Sequence, residues 1–226
     1  MKSDLKIWED VIEEIRWDPQ LTKVAPQIGV AVKDEVVTLS GMVDYYSQRI
    51  AAENAAQRVA GVKVVAVDID VQGHLPSEST SDPTIGEAIR NALTWHSGVN
   101  EDLIDIKVDN GWVYLEGTVH WDYERKAAER AIENIKGVKG IINKVTIKTK
   151  NTDARDVKKH ISAAFHRSAT VDAGNISVSV LNNTVVLAGK VRSWVEKKQA
   201  EDVALSMPGV TDVRNNLEID SLMPAS

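Results

Sequence analysis

The sequence has no cysteine among its 226 residues and no long apolar run. A chain without cysteine has no disulfide framework, no thiolate nucleophile and no cysteine-based metal site. No stretch approaches the ~20 apolar residues that a membrane-spanning helix needs, so we expect no transmembrane segment. The first ten residues are charged and lack the apolar core of a secretory signal. We therefore expect a cytoplasmic protein if Met1 is the native start, and a periplasmic one if a signal peptide has been removed.

Positive charge is also scarce, and it is unevenly distributed. The net charge is −6. Residues 1–74 hold 8 basic and 12 acidic side chains, residues 75–150 hold 10 and 12, and residues 151–226 hold 9 and 9. Nucleic-acid binding needs a basic footprint, so we expect no nucleic-acid partner for the chain as a whole. Only the last third could offer a locally basic surface.

The sequence contains no arrangement typical of catalysis. Five histidines are scattered along the chain, and none forms the i, i+4 helical pair of a metal site. No serine lies in a Gly-x-Ser-x-Gly turn, and no glycine-rich loop could hold a phosphate. We expect a protein that is not an enzyme and has neither a cofactor nor a metal.

What the sequence does contain is a threefold internal repeat. A Val-x-Leu-x-Gly-x-Val stretch is followed, 20 residues after its glycine, by Gly-Val. The repeat offsets are 76 and 72 residues, and such self-similarity at a long period indicates tandem structural units. The six glycines, which we expect to be structural, are Gly41, Gly61, Gly117, Gly137, Gly189 and Gly209. We expect a helix or another strand to approach closely at Gly41, Gly117 and Gly189. We expect Gly61, Gly137 and Gly209 to end the helix that precedes each of them.

Each repeat predicts the element order α-β-β-α-β. An apolar stripe at i, i+4 and i+8 indicates a first helix, as in Ile85, Ile89 and Leu93. Two strands follow around a turn, for which Asn110-Gly111 is a strong hairpin signal. A second helix then leads to a third strand, which should lie parallel to the second because the connection crosses over. The fold class is α+β, with a mixed three-stranded sheet packed against two helices in each unit.

The boundaries of the units follow from composition. We place the first unit at 1–73, the second at 81–149 and the third at 152–220. Residues 74–80 and 150–151 are predicted linkers, and 221–226 is a predicted tail. Units of about 70 residues have marginal cores, so we expect them to lean on one another.

The repeat resembles the BON domain (bacterial OsmY and nodulation). The resemblance rests on Leu115-Glu116-Gly117, on Gly137-Val138 and on Ile141-Ile142-Asn143-Lys144-Val145, and on the matching residues of the third unit. The first unit departs from the pattern, because Val67 stands where Asn143 and Asn215 do. The match covers nearly the whole chain.

The resemblance implies a non-catalytic module that contacts phospholipid surfaces and serves envelope maintenance or osmotic-stress protection. It makes a peripheral membrane surface or a protein the expected partner. The alternative is a soluble protein-interaction scaffold or a module that senses a small cation such as potassium, as in a BON relative that carries a LysM domain. This chain has no LysM segment after its last strand.

A candidate lipid-binding site lies in the third unit. Tryptophan favours the headgroup zone of a membrane, and cations attract anionic lipids at roughly 1 kcal/mol each. A tryptophan among four cations satisfies both conditions. The alternatives are that the tryptophan covers a small core or fills a contact between units, and that the cations form a solvated basic face. The candidate residues are Lys190, Arg192, Trp194, Lys197 and Lys198.

Overall fold

A computed structural model describes residues 2–72, 81–148 and 152–220. These ranges form three α+β units, as the repeat predicts. The predicted linkers and the predicted tail lie outside the described residues.

The units share one order of elements. The first contains α1 (Asp4–Trp17), β1 (Ile28–Lys33), β2 (Val36–Val43), α2 (Tyr46–Arg58) and β3 (Val64–Val71). The second contains α3 (Asp82–Thr94), β4 (Ile104–Asp109), β5 (Trp112–Val119), α4 (Asp122–Ile132), β6 (Gly140–Asn143) and β7 (Thr146–Ile147). The third contains α5 (Ala154–Arg167), β8 (Ile176–Leu181), β9 (Thr184–Val191), α6 (Trp194–Leu205) and β10 (Asp212–Ile219).

The mixed sheets are confirmed. In every unit the hairpin strands pair antiparallel, and the second strand pairs in parallel with the last strand. The central strand therefore lies between the other two, which leaves the first strand at one edge of each sheet.

The last strand of the second unit differs from the prediction, because it breaks into β6 and β7. Asn143 lies at the break, and its Oδ1 accepts a hydrogen bond from the Val145 amide at 3.2 Å. Its Nδ2 donates to the carbonyl of Arg125 at 3.0 Å, which ties the break to α4. Asn215 makes the same contacts in the third unit, where the strand stays continuous.

The hairpin turns follow from residues that tolerate a positive φ. Asn110 and Gly111 have φ values of 53° and 82°, and Asn182 and Asn183 have 47° and 68°. The turn at Asp34-Glu35 adopts the same conformation with less suitable residues. The carboxylate of Asp4 supports that turn, because it accepts hydrogen bonds from the amides of both turn residues.

The glycine of each central strand is required by its backbone. Gly117 has a φ of 139°, and a β-carbon there would collide with the Leu103 carbonyl just before the paired strand. Gly41 and Gly189 are in the same situation, so the close approach predicted from the sequence is an approach of backbone to backbone.

The second helices end earlier than the pattern of the sequence predicts. We expected Gly61, Gly137 and Gly209 to terminate them directly, and all three do have φ above 90°. The helices nevertheless stop three to five residues before the glycine, at Arg58, Ile132 and Leu205. The intervening residues form a turn, and the glycine closes that turn rather than capping the helix.

The three units are held together by the first turns of their second helices. Tyr46 at the start of α2 is buried against the core of the second unit, and its hydroxyl is hydrogen-bonded to the backbone of Ile141. The amide of Ser47 donates to the Glu133 carbonyl at 3.1 Å, and its hydroxyl bonds to Asn134. We call this contact the first joint.

The other two joints also involve the N-terminal part of a second helix. Trp194 at the start of α6 packs on the core of the first unit and donates from Nε1 to the Lys63 carbonyl at 3.1 Å. Lys126 in α4 forms an ion pair with Asp202 of the third unit and lies 2.7 Å from Asp122.

These contacts close a ring of three units. Tyr46, Asp122 and Trp194 are related by the repeat offsets of 76 and 72 residues, so each joint begins at an equivalent position. The second helix of the first unit contacts the second unit, that of the second unit contacts the third, and that of the third unit contacts the first. Such head-to-tail contacts form a closed ring when the rotation between units completes a circle. The mutual support expected of such small cores is therefore present.

Candidate binding surfaces

The predicted lipid-binding residues lie together, but Trp194 points into a joint. Its ring is half-buried against the first unit, and its N–H is already donated to Lys63. The ammonium group of Lys197 lies 5.3 Å above the same ring. The lipid-binding role of this cluster stays a prediction, with its tryptophan engaged inside the protein.

Each cation of that cluster also has a contact within the chain. Lys190 pairs with Asp220 at 3.0 Å, a hydrogen bond that raises the pKa of Lys190. Lys197 donates to a backbone carbonyl at 2.7 Å. Arg192 approaches the buried carboxylate of Glu196, and Lys198 donates to Asn54 of the first unit at 3.3 Å.

A second group of cations, on α5, has no such contacts. Arg155, Lys158 and Lys159 are exposed, and no ion pair or cation–π contact involves them within the described parts of the chain. At 100° per residue, Arg155, Lys159 and His166 fall within 40° of one another on the helix surface, with Lys158 beside them. The buried residues Val157 and Ile161 lie on the opposite side. We call these four exposed residues the α5 basic face.

The same helix differs in charge from unit to unit. Helix α1 carries two basic and five acidic side chains, α3 carries one and two, and α5 carries four and one. The α5 basic face is therefore a property of the third unit rather than of the repeat. Its spacing could have revealed it in the sequence, because the cations recur at i, i+3 and i+4.

The two most exposed tryptophans belong to neither group of cations. Trp17 and Trp95 are 78% and 87% exposed, and each closes the first helix of its unit. Arg167 stands at the equivalent position in the third unit.

The acidic residues of α1 are mostly paired. Hydrogen bonds from Lys2 and Lys6 lower the pKa of Asp10. Glu14 and Asp18 both bind Arg58, at 2.9 and 3.2 Å. In the described ranges no three His, Asp or Glu side chains are arranged to hold a metal ion, and no helix is long and apolar enough to cross a membrane.

Three tandem α-β-β-α-β modules with one free basic face define a modular repeat protein. The BON domain family model matches the chain three times, at residues 3–73, 81–149 and 153–221. The chain belongs to the BON domain family.

The chain is similar to one named relative and, weakly, to solved structures. Osmotically-inducible protein Y of Escherichia coli (strain K12) is 28% identical over 181 residues, which are 74% of this chain and 86% of that protein. The C-terminal domain of CdsD, the structural protein of the Type III secretion system of Chlamydia trachomatis, is 14% identical, with 96% and 99% of the two chains covered and a TM-score of 0.27. The PrgH periplasmic domain is 11% identical, with 94% of this chain and 99% of that chain covered and a TM-score of 0.23. Likeness at these TM-scores carries no argument about the fold or the function.

Proposed function

We propose that this chain is a non-enzymatic binding protein of the osmotic-stress type that attaches peripherally to anionic phospholipid surfaces through its third unit. The α5 basic face is the observation that carries the proposal. The chain as a whole is acidic, so attraction to an anionic surface has to come from a local group of cations. The name of the relative from Escherichia coli supports the link to osmotic stress.

The α5 basic face suits a flat anionic surface for two reasons. Its cations lie along one helix side, and Asp156, the one acidic side chain of α5, lies about 60° beyond Lys159 on the helix surface, so several phosphates can be contacted together. The ammonium and guanidinium groups are not held by other residues of the described chain, so no internal ion pair has to break first.

The test compares the two groups of cations in co-sedimentation with vesicles. Vesicles of anionic phospholipid and of phosphatidylcholine alone are titrated with the full chain at low and at high salt. One variant replaces Arg155, Lys158 and Lys159 with Gln, and the matched variant replaces Lys190, Lys197 and Lys198 with Gln. Both variants remove three positive charges, so a general charge effect would act equally on the two.

We expect binding to anionic vesicles only, and we expect it to weaken with salt. At roughly 1 kcal/mol per cation, the α5 variant should bind about 100-fold more weakly. Loss of binding in the matched variant alone would move the site to the predicted cluster around Trp194. Absence of binding at any salt concentration would refute the lipid proposal and favour a protein partner.

A further inference from the structure

The first and second units differ in a groove between the first helix and the edge strand. In the first unit Trp8 fills this groove, and its Nε1 donates to the Val30 carbonyl on β1 at 2.9 Å. The repeat places Gly86 at the position of Trp8, and Ile106 at the position of Val30. The second unit therefore has no side chain where the first has an indole.

The result is an open groove of about 560 Å³ between α3 and β4. Its floor is apolar and consists of Ile106 and Val108. A β-carbon on Gly86 would lie 3.9 Å from Val108, at ordinary contact distance, so the space above the glycine is real. Because β4 is an edge strand, its outer backbone groups face this groove rather than another strand.

Glu87 on the helix side of the groove lacks the ion-pair partner that its equivalent has in the first unit. Glu9 in α1 is paired with Lys6 at 3.3 Å. Glu87 is the equivalent of Glu9, but the equivalent of Lys6 is Thr84, which carries no charge. Within the described residues, neither Glu87 nor Arg90 forms an ion pair, whereas Asp82, the third charged residue on this side of the groove, accepts hydrogen bonds from the Asn110 and Gly111 amides.

We propose that this groove is a docking site for a segment of a partner protein that carries a tryptophan next to a cation. The first unit provides the template for the occupant, since its own helix supplies both an indole to the strand and a lysine to the glutamate. In the second unit the indole N–H of the partner donates to the Ile106 carbonyl, and its cation pairs with Glu87. Peptide recognition at a sheet edge commonly combines hydrogen bonds to the edge backbone with pockets for side chains.

The probes are three capped amides, titrated into the ¹⁵N-labelled full chain. N-acetyl-tryptophanamide should shift the amide signals of Ile106, Val108 and Gly86, with a Kd of roughly 1 mM. N-acetyl-phenylalaninamide lacks the indole N–H and should bind several-fold more weakly. The acetylated dipeptide amide Lys-Trp should bind better than Glu-Trp, and Glu87→Gln should remove that preference.

Three variants make the test independent of any single substitution. Gly86→Trp fills the groove as Trp8 does and should abolish the shifts, whereas Gly86→Ala leaves most of the groove open and should retain them. Trp8→Gly opens the first unit and should create new shifts at Val30 and Val32. The proposal is overturned if the probes saturate elsewhere, cause no shifts, or bind Gly86→Trp as well as the parent chain.

Discussion

Two of the three joints between the units are aromatic and one is ionic, although all begin at the same helix position. Tyr46 and Trp194 each place a ring on the core of the neighbouring unit. At the equivalent point Asp122 is 6% exposed and joins Lys126 in an ion pair that reaches the third unit. The repeat thus fixes the geometry of the ring, whereas the chemistry of each joint is free to vary. The stability that an aromatic joint contributes should be insensitive to salt, whereas the contribution of the ionic joint should fall as salt is added.

The largest effect is expected from Tyr46→Ala at the first joint. Removing a buried aromatic ring costs about 3 kcal/mol of unfolding free energy. The loss should fall on the second unit as well as the first, and hydrogen exchange of the α4 amides measures it. Tyr123→Ala removes a tyrosine that is 62% exposed and serves as the control. Equal effects of the two variants would contradict the aromatic first joint.

A smaller effect is expected from Trp194→Ala, because this ring is only half-buried. We expect a loss of about 2 kcal/mol in urea denaturation, and Trp194→Phe should lose about half of that with the hydrogen bond to Lys63. Trp95→Ala is the matched control, since Trp95 is 87% exposed. If Trp194→Ala were as mild as the control, Trp194 would not hold the third unit to the first.

The smallest effect is expected from Lys126→Met at the ionic joint. At low salt the loss of stability should be about 1 kcal/mol, and in 1 M salt it should shrink. Lys144→Met breaks an exposed pair with Glu116 and should change stability less. A loss that is independent of salt would mean that Lys126 acts through packing rather than charge.

The ionic joint should also depend on pH. Burial alone would lower the pKa of Lys126, but Asp122 and Asp202 outweigh it and raise the pKa above 10.5. A raised lysine pKa means that the folded state holds the proton more tightly than the unfolded state. The stabilisation is therefore fully present below the unfolded pKa, and it disappears as the pH rises through the folded one. The difference between the parent chain and Lys126→Met should vanish over that alkaline range.

The fold could be predicted from the sequence because its signals are local. The apolar stripes, the Asn-Gly turn and the 20-residue glycine spacing act within one unit and repeat three times. The break after Asn143 was not predicted, because Asn215 makes the same side-chain contacts without breaking its strand. The asparagine and its side-chain contacts therefore do not by themselves determine whether the strand breaks.

The surfaces were harder to predict because they depend on contacts between distant residues. Lys198 is next to Lys197 in the sequence, but its partner Asn54 lies 144 residues away in another unit. The sequence around Trp194 does not show which unit the ring contacts, because its partner Lys63 lies 131 residues away. The α5 basic face was not predicted, although it is local and its helical spacing would have been sufficient. The open groove needed only a comparison of Trp8 with Gly86 across aligned repeats.

The closed ring makes the covalent connection between units partly redundant. In a linear array a single cut separates everything on one side from everything on the other. Here each unit contacts both of the others, so a cut between two units leaves the severed piece held at two joints. After one cut, one covalent linker and all three joints remain, and a piece that lets go at one joint is held beside its neighbour by the other. Integrity of the assembly thus rests on Tyr46, Lys126 and Trp194 as much as on the segments that link the units.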